Sequence, residues 1–361
     1  MIVIIGAGIA GTASALALRQ AGFDVTVCEA HPDTGADIGA FLTLADNGMR
    51  ALAQIGVEPG GFPLSRMSVL GADGGQVADV PLGDASARYR CLRRADLAAA
   101  LRAEAARRGV DIRHSARFAS LADGVVSFTD GSSVAADVVI GADGLNSAVR
   151  SVVDPAAAPR YAGQHVFYGY TTSAAVGEPE RITMVRGSGS AFGYCSSPAG
   201  ETFWFARLTA PEPVDGAPTP AECRERLLPV LRRDATPTAD IVAATADIMV
   251  TSAWDLNPGG RWVRGTALLI GDAAHAASPA TGQGASMALE DAVVLAKAFR
   301  DTAEPFAAYQ RLRRERVERN IVASAAATAG RPSDRGPQSR VSRVDESIGR
   351  IIDWDTPIEP G

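Results

Sequence analysis

Gly6, Gly8 and Gly11 constrain this chain more than any other feature. They follow a β-branched run from Met1 to Ile5 and open an Ala/Leu-rich stretch, Ala10 to Gln20, whose composition predicts a helix. Asp24 to Glu29 then alternates back to strand, so the chain opens with a predicted βαβ unit of about 30 residues. Glu29 closes that second strand, 18 residues after the last glycine. In such a unit the first glycine makes the tight turn, the second lets backbone approach a pyrophosphate, and the third lets helix and strand pack closely. The helix start adds N–H donors and a positive dipole end. Glu29 is placed to accept hydrogen bonds from ribose hydroxyls. The pattern indicates a bound dinucleotide and does not choose between FAD and NAD.

Two later segments also end an apolar run in an acidic, glycine-containing turn. Val134 to Ile140 leads into Gly141-Ala142-Asp143-Gly144 and then Ser147-Ala148-Val149-Arg150. Thr266 to Ile270 leads into Gly271-Asp272, followed by His275, Pro279 and Gly282-Gln283-Gly284 at a predicted helix start. Such continuous apolar runs suit buried parallel strands whose C-terminal ends face a ligand. The Asp143 turn also fits a plain helix N-cap. Asp272 can bind a sugar hydroxyl, and the Gly282 to Gly284 amides can stabilise negative charge on a reduced ring.

With 361 residues, 47% of them apolar, the chain can bury a large core. A net charge of -6 leaves no basic stripe, which argues against nucleic acid or an anionic membrane surface and favours small-molecule partners. Cys28, Cys91, Cys195 and Cys223 lie far apart without metal-ligand spacing, so neither a metal site nor a disulfide framework is expected. Met1 to Leu18 carries no charge, but no basic region precedes it and its glycines fit a nucleotide turn better than a membrane helix. A cytoplasmic protein is the expectation. Lys297 is the only lysine.

Between the nucleotide-type segments the character changes. Ser68 to Leu82, broken at Gly71 to Gly75, and the aromatic-rich stretch Val166 to Thr209 read as antiparallel strands. The fold class is therefore α/β, with residues 1–67, 92–160 and 255–330 in a nucleotide-binding domain and 68–91 and 161–254 in an inserted β-rich domain. Residues 331–361 read as a polar, Pro-containing tail without a fold of its own. Arg94 to Arg108, with Leu97, Leu101 and Ala105 at helical spacing, and Pro218 to Arg233 read as helices. Arg311 to Arg319 reads as a salt-bridged, solvated helix face.

The three segments in this order, with Leu92-Arg93-Arg94-Ala95-Asp96-Leu97 between the first two, resemble the group A FAD-dependent aromatic hydroxylases, the para-hydroxybenzoate hydroxylase-like flavoprotein monooxygenases. The resemblance covers roughly Met1 to Ala325. It implies a Rossmann-like FAD-binding domain of the glutathione-reductase type with an inserted β-rich substrate domain. It also implies that Gly6, Gly8, Ala10, Gly11 and Glu29 hold the ADP half of FAD, and that Arg94 reaches the cofactor from its helix start. By the same resemblance Asp143 and Gly144 serve FAD and the nicotinamide coenzyme, Asp272 binds ribityl or ribose hydroxyls, and Pro279, Gly282, Gln283 and Gly284 lie beside the isoalloxazine. The implied reaction uses NADPH or NADH and O2, and oxygenates an aromatic or polyketide-like small molecule through a C4a-hydroperoxyflavin, hydroxylation being the leading outcome. A monomer or homodimer without metal is implied. Ala30 and Ser286 stand where the family often has Arg or Lys and Asn, and no arginine lies between His31 and Met49.

For substrate contact the candidates are His165, Tyr168, Tyr170, Tyr194, Trp204 and Arg207. Aromatic residues on an alternating strand more often pack than touch a ligand. Arg207 and Tyr194 stand out because a polar group on an otherwise apolar strand is the less expected event. His275 reads as a packing residue of the flavin loop, and Glu290 and Asp291 as partners of arginines or solvent. The competing readings are a flavoprotein that performs non-redox chemistry or is reduced by a partner, a flavin-dependent halogenase, which the missing W-x-W-x-I-P sequence disfavours, and a plain NAD-dependent dehydrogenase, which the Asp143 and Asp272 segments disfavour.

Overall fold

The computed structural model describes residues 1–32, 40–83, 89–174, 176–331 and 346–359. Its first layer is a six-stranded sheet in the order Val263–Arg264, Ala267–Leu269, Val138–Gly141, Ile2–Ile5, Val25–Cys28, Asp111–Arg113. All neighbours run parallel except the edge pair Val263–Arg264 with Ala267–Leu269. Every residue of Ile2–Ile5 and Val25–Cys28 is buried, as a strand covered on both faces requires. Helices Ile9–Gln20 and Gly284–Asp301 supply Leu16, Leu18, Leu289, Val293 and Leu295 to the same core.

A seven-stranded sheet forms the second layer, in the order Ile248–Asp255, Arg160–Thr171, Thr202–Thr209, Ala191–Ser196, Arg181–Arg186, Arg66–Gly71, Gln76–Pro81. One of its faces packs Phe167, Val185, Phe192, Tyr194 and Trp204 against helices Pro220–Leu231 and Thr238–Ala243. Thr219 and Glu222 start the first of those helices with a reciprocal capping box. Strands Phe41–Leu44, Tyr89–Arg93 and Phe62–Leu64 make a small sheet that joins the two layers through Leu64, Tyr89, Cys91, Cys195 and Phe203.

Apart from the parallel pairing of Arg66–Gly71 with Arg181–Arg186 in a sheet read as antiparallel, the structure departs from the sequence reading in three places. The run Val134 to Ile140 is not one strand: Ser133–Ala135 belongs to a separate three-stranded sheet and Val138–Gly141 to the parallel one. The break falls at Asp137, whose carboxylate accepts from the N-terminal ammonium and whose N–H donates to Met1 O. Arg313, within the run read as solvated, is fully buried. It faces inward from helix Pro305–Thr328 to meet two buried carboxylates. The third departure concerns the tail. Within the segment read as unfolded, Glu346–Ile352 is helical, and Ile348, Ile352 and Ile358 enter the main core. Lys297 secures this segment by donating from Nζ to Ile351 O and Asp353 O, both at 2.6 Å. No helix among the described residues is long and apolar enough to cross a membrane.

Candidate active site

The three nucleotide-type segments converge on one edge of the parallel sheet. Backbone bonds continue the alignment beyond the strand ends: Gly6 N donates to Cys28 O at 2.8 Å, Ala142 N to Ile5 O at 2.8 Å and Ile270 N to Gly141 O at 3.0 Å. Gly6–Gly8, Asp143–Gly144 and Gly271–Asp272 therefore open side by side outside the C-terminal ends of the strands, where open α/β sheets bind ligands. Gly6 has φ +104°, and a Cβ there would stand 2.6 Å from Ala142 O. A Cβ on Gly11 would stand 1.9 Å from Gly6 O, so helix Ile9–Gln20 seats on its turn only with glycine. Gly8 instead faces open space, and no side chain caps the helix that it starts.

Polar side chains hold these turns in place. Glu29 accepts from Ala7 N at 2.7 Å through Oε2 and from His31 N at 2.9 Å through Oε1, which anchors its carboxylate at the wall of the cleft. Asp143 caps the helix that follows it: its carboxylate accepts from Ser147 Oγ, from Ala148 N at 2.7 Å and from Val149 N at 3.1 Å. Arg150 is buried and donates to Ala273 O at 3.1 Å and to Leu145 O, tying the Asp143 turn to the Asp272 turn. Its sequence signal is a lone cation after an otherwise apolar helix start.

These turns border a single cleft of about 2210 Å³. Gly6, Gly8, Ala10, Glu29, Arg94, Asp143, Gly144, Asp272, Pro279, Gly282, Gln283 and Gly284 all line it, whereas Gly11 is buried behind the turn. Opposite them the seven-stranded sheet presents Tyr168 and Arg207. Burial pushes the Tyr168 phenol up, with nearby Arg94 opposing, so Tyr168 is a protonated donor at neutral pH.

The remaining substrate-contact candidates lie elsewhere. Tyr194 is buried on the helix-covered face beside Phe192, and its phenol is pushed up by that burial. The reason is strand parity: Tyr194 opposes Trp204, while Arg207 opposes Ala191, and the two pairs point to opposite faces. Trp204 donates from Nε1 to Thr245 Oγ1 at 2.9 Å within that core. His165 Nε2 lies 2.8 Å from Glu212 O, and Tyr170 carries the Arg93 guanidinium 3.9 Å from its ring centre. Sequence reasoning passed over Phe41, Met184 and Phe205, which also line the cleft.

Beneath the Pro279–Gly284 loop lies a closed ionic network. Arg313 donates to Asp291 Oδ1 at 2.8 Å and pairs with Glu290, whose carboxylate also takes Arg316 at 2.7 Å and 2.8 Å. Asn47 bridges Gln283 Oε1 at 3.2 Å and Glu290 Oε1 at 2.6 Å. Burial on its own raises the carboxyl of Glu290, but Arg313 and Arg316 outweigh it and hold the group below the usual range. Both carboxylates thus answer arginines rather than moving protons. His275 meets Asp291 here through a hydrogen bond at 2.6 Å, a polar role beyond the packing read for it.

The cleft's capacity tests the fit of a dinucleotide. Clefts that bind drug-sized ligands measure about 300–1,000 Å³, so this one has room for an extended cofactor and a second molecule together. Among the described residues no cluster of His, Cys, Asp or Glu is placed to hold a metal. The fold and the cleft define a dinucleotide-binding protein of the Rossmann-like kind, its cleft bordered on the far side by a mixed sheet. Comparison with known proteins gives its family. A family model described as FAD binding domain matches residues 1–329, and the chain belongs to that family. It is 31% identical over 338 residues to the aurachin C monooxygenase/isomerase of Stigmatella aurantiaca, covering 88% of this chain and 85% of that protein. To the FAD-dependent urate hydroxylase of Klebsiella pneumoniae it is 33% identical over 337 residues, covering 88% and 86%. The crystal structure of Klebsiella pneumoniae HpxO complexed with FAD and uric acid superposes with a TM-score of 0.81 at 29% identity, over 98% of this chain and 96% of that one. The protein is an FAD-dependent monooxygenase of the aromatic-hydroxylase kind, with NAD(P)H as co-substrate.

Proposed function

We propose that the enzyme hydroxylates an aromatic small molecule held between the Pro279–Gly284 loop and the seven-stranded sheet, with Arg207 orienting the ring. The observation that carries this reading is the shared cleft: Arg207 and Tyr168 face the same space as all three nucleotide turns. FAD, when bound, supplies the electron relay from NAD(P)H to O2 and the oxygen-transferring centre. Gly8 and the start of helix Ile9–Gln20 take its pyrophosphate, Glu29 and Asp272 its sugar and ribityl hydroxyls, and the Gly282–Gly284 amides the ring. Asp143 acts through its backbone turn, since its carboxylate is engaged in capping a helix. We assign cofactor binding to residues 1–67, 92–160 and 255–330, and the substrate chamber to 68–91 and 161–254.

Arg207 offers a fixed fork of donors to a ring carbonyl, phenolate or carboxylate. Phe205, two residues earlier on the same face, offers a flat apolar surface for the ring itself. The apolar lining excludes water from the reacting carbon. No proton-transfer residue is needed from Glu290 or Asp291. In the test, the purified yellow protein is mixed with NADPH or NADH in air, with and without a panel of phenols and heteroaromatics. Substrate-stimulated oxidation with a hydroxylated product establishes the reading. A flavoprotein that no nicotinamide reduces in the presence of any aromatic would overturn it and favour partner-driven reduction.

A further inference from the structure

We infer that the molecule hydroxylated here carries an apolar extension several carbons long, seated in a trough that crosses the seven-stranded sheet. This rests on the hydroxylase reading of the cleft and names its substrate class more closely. On the cleft face Tyr168, Phe205, Gly193, Met184 and Val69 stand directly opposite one another on five successive strands. Neighbouring strands lie about 4.8 Å apart, so the row extends about 19 Å. Aromatic rings in contact sit about 4.5–7 Å from centre to centre. One ring therefore occupies about one step of a four-step row.

The row is apolar and unbroken. Its one polar atom is the Tyr168 hydroxyl, at the end near Arg94. At its middle Gly193 has no side chain, and its neighbours fill that place: a Cβ there would lie 2.5 Å from Phe205 Cε1 and 2.9 Å from Met184 Sδ. The phenylalanine ring and the thioether thus close over the strand and form a continuous floor. Leu64, Leu82 and Ile182 also line the cleft. On this face of the sheet the guanidinium groups stand in the adjoining row, where Arg207 and Arg186 flank Ala191. A small polar ring would satisfy Arg207 and leave the rest of this floor against water, whereas a ring with an aliphatic or fused apolar arm covers it.

The test is a para-alkylphenol series, from para-cresol through para-butylphenol to para-heptylphenol, bound to the FAD-loaded enzyme and followed by isothermal titration calorimetry. The expected dissociation constant tightens by about fourfold per methylene until the trough is filled. Val69→Thr and Met184→Gln keep side-chain size, and each should flatten that dependence on chain length. Measurable binding of para-cresol with no gain along the series overturns the trough and leaves the hydroxylase reading standing. A gain that survives both substitutions places the chain elsewhere and also overturns it. Failure of every member to bind overturns the trough and the aromatic-substrate reading together.

Discussion

Nε2 of His275 lies 2.6 Å from Oδ2 of Asp291 in a site closed to solvent, and the same carboxylate oxygen accepts from Gly271 N at 3.0 Å. One carboxylate therefore positions both the Gly271–Asp272 turn and the short helix Asp272–His275 that follows it. Burial alone raises the carboxyl of Asp291, but His275 and Arg313 overcome that effect and hold it well below the usual carboxylate range.

Acid sensitivity follows from this arrangement. A carboxyl whose folded-state pKa is depressed contributes stability that is present above its unfolded value of about 3.9 and is lost as pH falls through the folded value. Asp291→Asn leaves Arg313 with one buried partner fewer, and breaking such a pair costs on the order of 3–5 kcal/mol. Denaturant titrations should show a large loss near neutral pH and a smaller loss of stability on acidification than in the parent protein. Equal acid sensitivity in both would place the titrating group elsewhere.

Asp272 is exposed at the mouth of its turn and lines the cleft. Asp272→Ala should lower the visible-to-ultraviolet absorbance ratio of the purified protein, as flavin is lost, while the far-ultraviolet circular dichroism stays the same. Full flavin occupancy after extended dialysis would remove Asp272 from the cofactor site.

Arg207 and Tyr194 lie on opposite faces of the sheet and should therefore separate in function. Removing a hydrogen bond from a charged donor costs about 1.5–3 kcal/mol, so Arg207→Ala should reduce kcat/KM by about ten- to hundredfold. Arg207→Lys should recover only part of this, because a point charge does not reproduce the planar fork. Tyr194→Phe should leave kcat/KM within a factor of about two, as its hydroxyl is on the far side of the sheet. Steady-state kinetics with any accepted aromatic decides between them.

Lys297 is fully buried with its ammonium against two carbonyls. Burial, with Arg300 adding to it and Asp301 and Asp353 opposing, pushes its pKa down to about 8. From about pH 8 to about 10.4 the unfolded chain retains a proton that the folded chain has released, so this group's contribution to stability rises with pH over that window. Lys297→Met should remove that rise in urea titrations at about pH 7.5 and about pH 9.5. It should also raise hydrogen exchange in residues 346–359, whose helix loses both carbonyl contacts.

The turn of Gly6, Gly8, Gly11 and Glu29 was readable because its chemistry is local: φ, helix start and strand end fall within one βαβ unit. The face to which Arg207 points was not, because both faces of its sheet are covered, one by helices and one by the cleft, so alternation alone does not say which is which. Arg313 hid in a charged run for a related reason. Its burial depends on Glu290 and Asp291, more than twenty residues away in sequence. The C-terminal helix was missed because Ile348, Ile351 and Ile352 are few and sit in a polar context. Only the surface left between Gln54 and Lys297 makes their burial favourable.

That C-terminal segment has a practical consequence. It covers the only lysine in the sequence, so an acylating reagent reaches that side chain only when the segment lifts away. Each modification of Lys297 then records one undocking, and the rate at which a mild ester labels it becomes a clock for opening of the segment, readable by mass spectrometry without any engineered probe.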